Sequence, residues 1–168
     1  MGRDKALIEI DGIAMAARVA DALIDAGAAS VRCVGGDLAR LRPLGLDAIP
    51  DASDGDGPLA GVIAGIESTT DPIVVVSPCD LVEPTAPLFR ALVSALSASD
   101  ASAAVPFVEG RWRPLPLAVR RDALDALRVT FARGERAVHR AIEHLGPLAI
   151  DVGPIEDADT PEDLPGHR

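Results

Sequence analysis

Asp80 is the residue of this sequence best placed to do chemistry. It follows the run Asp71-Pro72-Ile73-Val74-Val75-Val76-Ser77-Pro78-Cys79. Asp71-Pro72 breaks whatever precedes it. Ile73 to Val76 is a β-branched apolar run, which predicts a strand buried on both faces. Pro78 cannot donate to a ladder, so pairing should stop there. Ligands of open α/β sheets bind outside the carboxyl ends of the strands. A carboxylate at that place suits a divalent cation that carries a phosphate ligand. The alternative is a turn aspartate that only caps the next element.

Other residues could serve the same chemistry. The segment Met1-Gly2-Arg3-Asp4-Lys5 has no secondary-structure pattern, and its cations Arg3 and Lys5 could partner a polyphosphate. A frayed terminus is the plainer account. Asp51 follows a short apolar run at 46–49, again at a strand's carboxyl end. The loop at 52–58 leads into Gly57-Pro58-Leu59-Ala60-Gly61, with Pro58 suited to a first helical turn. A nucleotide could lie against that helix start. Gly61 and Gly65 leave one helix face bare, which also suits close packing of helix on sheet. Asp157 and Asp159 alternate just before Thr160-Pro161-Glu162-Asp163, a well-formed helix start. Carboxylates two apart in an extended segment point the same way and could share one metal with a third. Trp112 reads as a ligand platform or a hydrophobic plug. His139 and His144 miss the spacing of a helical metal pair and read as surface or packing residues.

The elements that must position these residues alternate along the chain. Strands are expected at 6–10, 30–34, 46–49, 73–76, 103–108 and 148–152. Helices are expected at 13–26, 37–42, 58–67, 84–97, 122–129 and 137–145. Leu88, Leu92 and Leu96 repeat at helical spacing. Glu109-Gly110 predicts a tight turn between 103–108 and a second arm at 111–119, a late β-hairpin. Pro114 and Pro116 demote that arm to an edge or irregular strand. The order predicts one α/β domain, a mostly parallel Rossmann-like sheet flanked by helices.

Composition sets the outer bounds. A chain of 168 residues suits one domain, and 48% hydrophobic content supplies a core. The formal net charge of −10 argues against nucleic acid as a partner. No run is long and apolar enough to predict a membrane span. Cys33 and Cys79 are too few and too far apart for a disulfide framework or a zinc site, and reduced buried thiols in a cytoplasmic protein are expected.

Six stretches, taken together and in order, resemble the molybdenum cofactor guanylyltransferases, within the nucleotidyltransferases of GT-A-like fold. They are Met1-Gly2-x-Asp4-Lys5-Ala6-Leu7, Gly57-Pro58-Leu59-Ala60-Gly61, Pro78-Cys79-Asp80, Arg113-Pro114-Leu115-Pro116-Leu117, Gly134-Glu135-Arg136 and Asp159-Thr160-Pro161-Glu162-Asp163-Leu164. The resemblance covers essentially the whole chain. It implies transfer of GMP from Mg-GTP to the terminal phosphate of molybdenum-molybdopterin, yielding molybdopterin guanine dinucleotide and pyrophosphate. It implies catalytic roles for Lys5 and Asp80, with Lys5 holding the triphosphate. Asp51 and the loop residues Gly57, Pro58, Leu59 and Gly61 would serve the nucleoside side. Asp80, with Asp159, would ligate Mg2+. GTP and a molybdopterin-type cofactor are the implied ligands, with molybdoenzymes or cofactor-handling proteins as further partners it allows.

Two departures from the family pattern carry expectations of their own. Asp157-Ala158-Asp159 stands where many members carry Asn-x-Asn, and related cytidylyltransferases often carry aspartates there. A sister enzyme using CTP or another phosphorylated acceptor is therefore the alternative, and a binding module without turnover is a third reading. Members of the family also place a strand and a Leu-Ala-Gly-Gly-x-Ser-x-Arg loop directly before Met-Gly, whereas this sequence opens at that Met. Residues 1–168 are thus expected to form a nucleotidyltransferase domain incomplete at its N-terminus. The upstream codons are expected to encode that strand and loop, and the short form to bind GTP poorly.

Overall fold

The computed structural model describes residues 4–51 and 56–155. The chain start is not a strand over 6–10. The Asp4 carboxylate accepts from the Ala6 amide at 3.1 Å and its carbonyl from the Leu7 amide at 3.1 Å, which winds Lys5–Leu7 into a 3-10 turn. A short hairpin follows, β1 (Glu9–Ile10) and β2 (Ile13–Ala14). Asp11 and Gly12 carry it at φ 54° and 79°, the geometry that Asp-Gly favours between two strands. Only then does α1 (Met15–Asp25) begin, with Met15, Val19 and Leu23 buried at helical spacing.

β3 (Arg32–Val34) and β4 (Asp47–Ile49) pair in parallel, Cys33 opposite Ala48. Between them lies α2 (Leu38–Leu41), capped by the Asp37 carboxylate on the Ala39 and Arg40 amides. α3 (Pro58–Glu67) leads to β5 (Ile73–Val76), and α4 (Ala86–Ser97) to β6 (Ala103–Val108). β7 (Arg111–Trp112) returns on β6 through Glu109 at φ 51° and Gly110 at φ 79°, so the predicted late hairpin is present.

The second arm departs from expectation. The prolines break it after two residues, and β8 (Leu117–Arg120) re-enters the sheet between β5 and β6 rather than along an edge. Pro114 and Pro116 precede this run, so every residue in β8 can donate. α5 (Leu124–Ala132), α6 (Val138–Glu143) and β9 (Leu148–Asp151) complete the described chain. β5 and β6 both run against β8, and β9 runs along β6, so β5, β6 and β9 share one direction in a mixed sheet.

Helices cover both faces of this sheet. Ala103 and Val105 of β6 and Leu117 and Val119 of β8 face Leu59, Ile66, Leu127 and Ile142 of α3, α5 and α6. Ala104 and Ala118 alternate to the other face, against Leu23 of α1 and Phe89, Leu92 and Leu96 of α4. Leu88, Leu92 and Leu96 are all buried, as their spacing predicts. Arg120 ties α4 to β8, its guanidinium donating to the carbonyls of Ala101, Leu96 and Ser99 at 3.0, 2.9 and 2.7 Å.

One feature contradicts the reading of 73–76. All four residues of β5 are only half-buried. β5 pairs with β8 along one edge, and β3–β4 forms a separate two-stranded sheet. A cavity of about 730 Å3 lies between, lined by β3 and β5 alike.

Candidate active site

Lys5 and Asp80 meet. The Lys5 ammonium donates to Asp80 Oδ2 at 3.0 Å, with the two side chains 30% and 19% exposed. Lys5 is held by the 3-10 turn, and Asp80 stands beyond the carboxyl end of β5, where the sequence places it. Two groups 75 positions apart are thus joined at one sheet end.

Asp4 fixes this corner, a role the sequence reading missed. Its Oδ1 caps the Lys5 turn, and its Oδ2 accepts from the Asp37 amide at 3.4 Å. Gly36 permits the approach, since a Cβ there would stand 3.5 Å from Asp4 Oδ2 and 3.2 Å from Leu41 Cδ1. An aspartate two residues before the amide that donates to its side chain was the available signal. Asp51 lies beyond β4, against Gly35, where a Cβ would meet Asp51 Cβ at 3.4 Å. The Gly35-Gly36 turn therefore seats between Asp4 and Asp51.

The Gly57 to Gly61 stretch opens α3 as expected. Pro58 and Gly61 line the same cleft as Asp4, Gly36, Ser77 and Cys79. Leu59 differs from the others: it is fully buried, and its amide donates to the Arg136 carbonyl at 3.2 Å. It shapes the loop from within the core. Arg136 is the second residue missed. Its guanidinium stacks 3.9 Å from the Phe131 ring centre and donates to the Phe131 carbonyl at 2.8 Å, and its Cβ packs where a Gly57 side chain would go. Glu135 braces it by accepting from the Arg136 and Ala137 amides, which, with Arg140, hold its carboxyl below the usual range.

Gly57 carries φ 84° and ψ 173°, a region open essentially to glycine alone. Gly57→Ala would also push a Cβ to 3.2 Å from Arg136 Cβ. The expected cost is about 1–3 kcal/mol, read as a fall in Tm of about 2–4 °C per kcal/mol for a chain of this size. An unchanged Tm would show that the loop does not need this conformation.

The site is electronegative. Cys79 is exposed, contrary to the expectation of a buried thiol, yet the surrounding protein desolvates it and pushes its thiol up to about 11, with Asp80 and Asp4 adding to the rise. Cys33 is raised by burial and then by Asp47. Trp112 packs against the core as a plug, and His139 and His144 lie on the surface. Asp157 and Asp159 lie outside the described residues. Among the described residues no group of three or more His, Cys, Asp or Glu side chains gathers for a metal. The donor set still fits Mg2+, which commonly takes one or two carboxylates and completes its shell with phosphate oxygens and water. Asp80 would be such a carboxylate.

The chain matches the family model described as a MobA-like NTP transferase domain over residues 1–148. It is 32% identical to the molybdenum cofactor guanylyltransferase of Pseudomonas putida over 142 residues, 84% of this chain and 74% of the relative. It is 28% identical to the molybdenum cofactor guanylyltransferase of Pseudomonas aeruginosa (strain LESB58) over 122 residues, 70% of this chain, and it spans only 62% of that relative's length. Among solved structures it is similar to molybdopterin-guanine dinucleotide biosynthesis protein A from Archaeoglobus fulgidus, with a TM-score of 0.69 at 21% identity, covering 90% of this chain and 76% of that one. That likeness establishes the GT-A-like fold.

Proposed function

The chain belongs to the MobA-like NTP transferase family, and from that premise we propose that it transfers GMP from Mg-GTP to the terminal phosphate of molybdenum-molybdopterin. A phosphate oxygen of the acceptor attacks the α-phosphorus, the bond to the β-phosphate breaks, and pyrophosphate leaves. The observation that carries the reading is the Lys5–Asp80 pair beyond the carboxyl end of β5, whose chain neighbours Asp4 and Cys79 line the same cleft as Pro58 and Gly61.

The acceptor is already an anionic nucleophile, so no general base is required. The task of the protein is to bring two anions together and hold them in line. Lys5 supplies a mobile cation for the triphosphate. Asp4 and the Gly35-Gly36 turn keep that lysine at the sheet end. The Gly57 loop, braced by Arg136, offers a wall for the nucleoside, and Asp51 stands against Gly35, which lines the cleft. Asp80, with Asp159 as a second carboxylate, would hold Mg2+, which would neutralise phosphate charge and orient the leaving pyrophosphate.

Lys5→Ala should weaken nucleotide binding more than it alters folding. A charge-assisted contact is worth about 1.5–3 kcal/mol, so nucleotide affinity should fall about ten- to a hundredfold. The half-exposed pair it leaves adds about 0–1 kcal/mol of stability at most. Titration calorimetry with GTP, set beside the Tm, checks both, and unchanged affinity would take Lys5 out of the site.

The aspartates at 157 and 159 support a second reading, a sister enzyme that uses CTP. A thermal-shift panel of GTP, CTP, ATP and UTP with Mg2+ separates the two. GTP is expected to give the largest rise; a response to CTP and not GTP would overturn the guanylyl assignment. The molybdopterin-type product would pass to molybdoenzymes or cofactor-handling proteins. We place the reaction in the cytoplasm, where GTP is available; no described helix is long and apolar enough to cross a membrane.

A further inference from the structure

Arg18 is a cation within the fold whose place stability does not explain. It lies half-buried on α1, three residues after Met15 and so on the same helical stripe. Its Nη2 donates to the Val82 carbonyl at 3.3 Å, a long bond. Its Nε is buried and finds no hydrogen-bond partner among the described residues. No described carboxylate pairs with it. One long hydrogen bond does not offset a buried unmatched donor. A methionine would keep an apolar stem of similar reach and shed the orphan.

The contact falls beside the candidate site. Val82 stands two residues past Asp80 and is buried with Met15, Ile10 and Ile8. Leu81, between them, is buried in the other cluster, with Val19 and Leu23 of α1 and Phe89 of α4. Side chains 81 and 82 thus fasten the chain to α1 in two clusters, and Arg18 adds a hydrogen bond at the backbone. The Lys5 side of the site rests on the same helix. Met15 opens α1, and its amide donates at 2.8 Å to the carbonyl of Ile8, the residue after the Lys5–Leu7 turn. α1 is the common base of Lys5 and Asp80.

The Lys5 ammonium that holds Asp80 Oδ2 at 3.0 Å is also the group proposed to turn to the triphosphate. Asp80 then gives up that contact, and its aim depends on the backbone that carries it. A carboxylate on a fixed segment loses less conformational freedom on taking a cation than one on a loose loop.

We propose that Arg18 is a positioning residue for this carboxylate. Through the Val82 carbonyl it holds residues 80–82 on α1, so that Asp80 stays aimed when Lys5 moves to the nucleotide. Arg18 acts through the backbone and takes no part in bond making. The inference rests on the reading of Asp80 as a Mg2+ ligand.

The test titrates Mn2+, a stand-in for Mg2+ visible by electron paramagnetic resonance, into the chain without nucleotide, and sets its affinity beside the Tm. Arg18→Met is expected to weaken Mn2+ binding about tenfold, as loss of an outer partner of a metal ligand does. Its Tm should stay level or rise, because the orphan donor is gone. Arg18→Lys keeps a cation and N–H donors on a flexible stem and should restore most of the affinity. Asp80→Asn should remove the site and is the reference for the reading beneath. If Asp80→Asn binds Mn2+ as the parent chain does, the metal assignment of Asp80 fails and this inference falls with it. If Asp80→Asn loses Mn2+ while Arg18→Met keeps parental affinity, the inference alone fails. A lowered Tm in Arg18→Met would also overturn it, because Arg18 would then be a structural brace. So would Mn2+ binding in Arg18→Lys no tighter than in Arg18→Met.

Discussion

Asp80→Asn should abolish metal-dependent nucleotidyl transfer and leave the fold in place. The two side chains have nearly the same shape, so what is lost is charge. Asp80 pairs with Lys5 at 3.0 Å beyond the carboxyl end of β5. An amide there could still accept from Lys5 but could not balance a divalent cation. Losing one preorganised electrostatic contact to a reacting group typically costs about 10²–10³ in kcat, and loss of a metal ligand compounds it. Stability should change by about 1 kcal/mol or less, since the ion pair is partly exposed. Pyrophosphate release from GTP and Mg2+, measured beside the Tm, checks both halves. Near-normal turnover would remove Asp80 from the metal site. A collapsed Tm would instead make the residue structural.

Phe89→Ala should bring the largest loss of stability of any single substitution named here. Phe89 is fully buried on α4, in the cluster that joins α4 to α1 and to the sheet. Truncating a buried phenylalanine costs about 3–5 kcal/mol. The upper half of that range is expected here, because Phe89 also walls the cavity beside β5 and the new space would merge with it. Against a total of about 5–15 kcal/mol for an ordinary domain, that is a large share. Val129, which is 50% exposed, is the control, and Val129→Ala should stay within about 0.5 kcal/mol. Urea unfolding of both variants decides, and a Phe89→Ala midpoint close to that of Val129→Ala would show that α4 is not holding the layers together.

The order of elements was legible because each is written locally. The Leu88, Leu92 and Leu96 spacing marks a buried helical face, and Glu109-Gly110 marks a turn whose geometry few other pairs allow. Asp80 was legible as a strand-end carboxylate for the same reason. Lys5 joins it only through the family resemblance: contact between the two depends on how the chain start folds back, which the Asp4 cap on Lys5–Leu7 signals locally but does not aim at Asp80. The place of β8 was misjudged because prolines at 114 and 116 were taken to weaken the whole arm, when they only divide it. Leu59 was grouped with the ligand loop by its neighbours, although a leucine at a second helical position turns to the core. The burial of β5 was overestimated because a sequence run reports what a strand is suited to, and its actual neighbours are a property of the whole sheet.

Among the described residues β5 pairs along one edge only, and this also bears on how the chain behaves in bulk. Ile73 to Val76 carries no charge, no proline and no glycine, the signature of segments that seed cross-β fibrils. Gatekeepers flank it at Asp71, Pro72 and Pro78 but cannot shield the strand's own backbone. Solubility therefore rests on the −10 net charge, which keeps molecules apart at low ionic strength and less so as salt screens it. For this chain, concentration and salt during purification are structural variables, because they govern whether that edge meets water or another polypeptide.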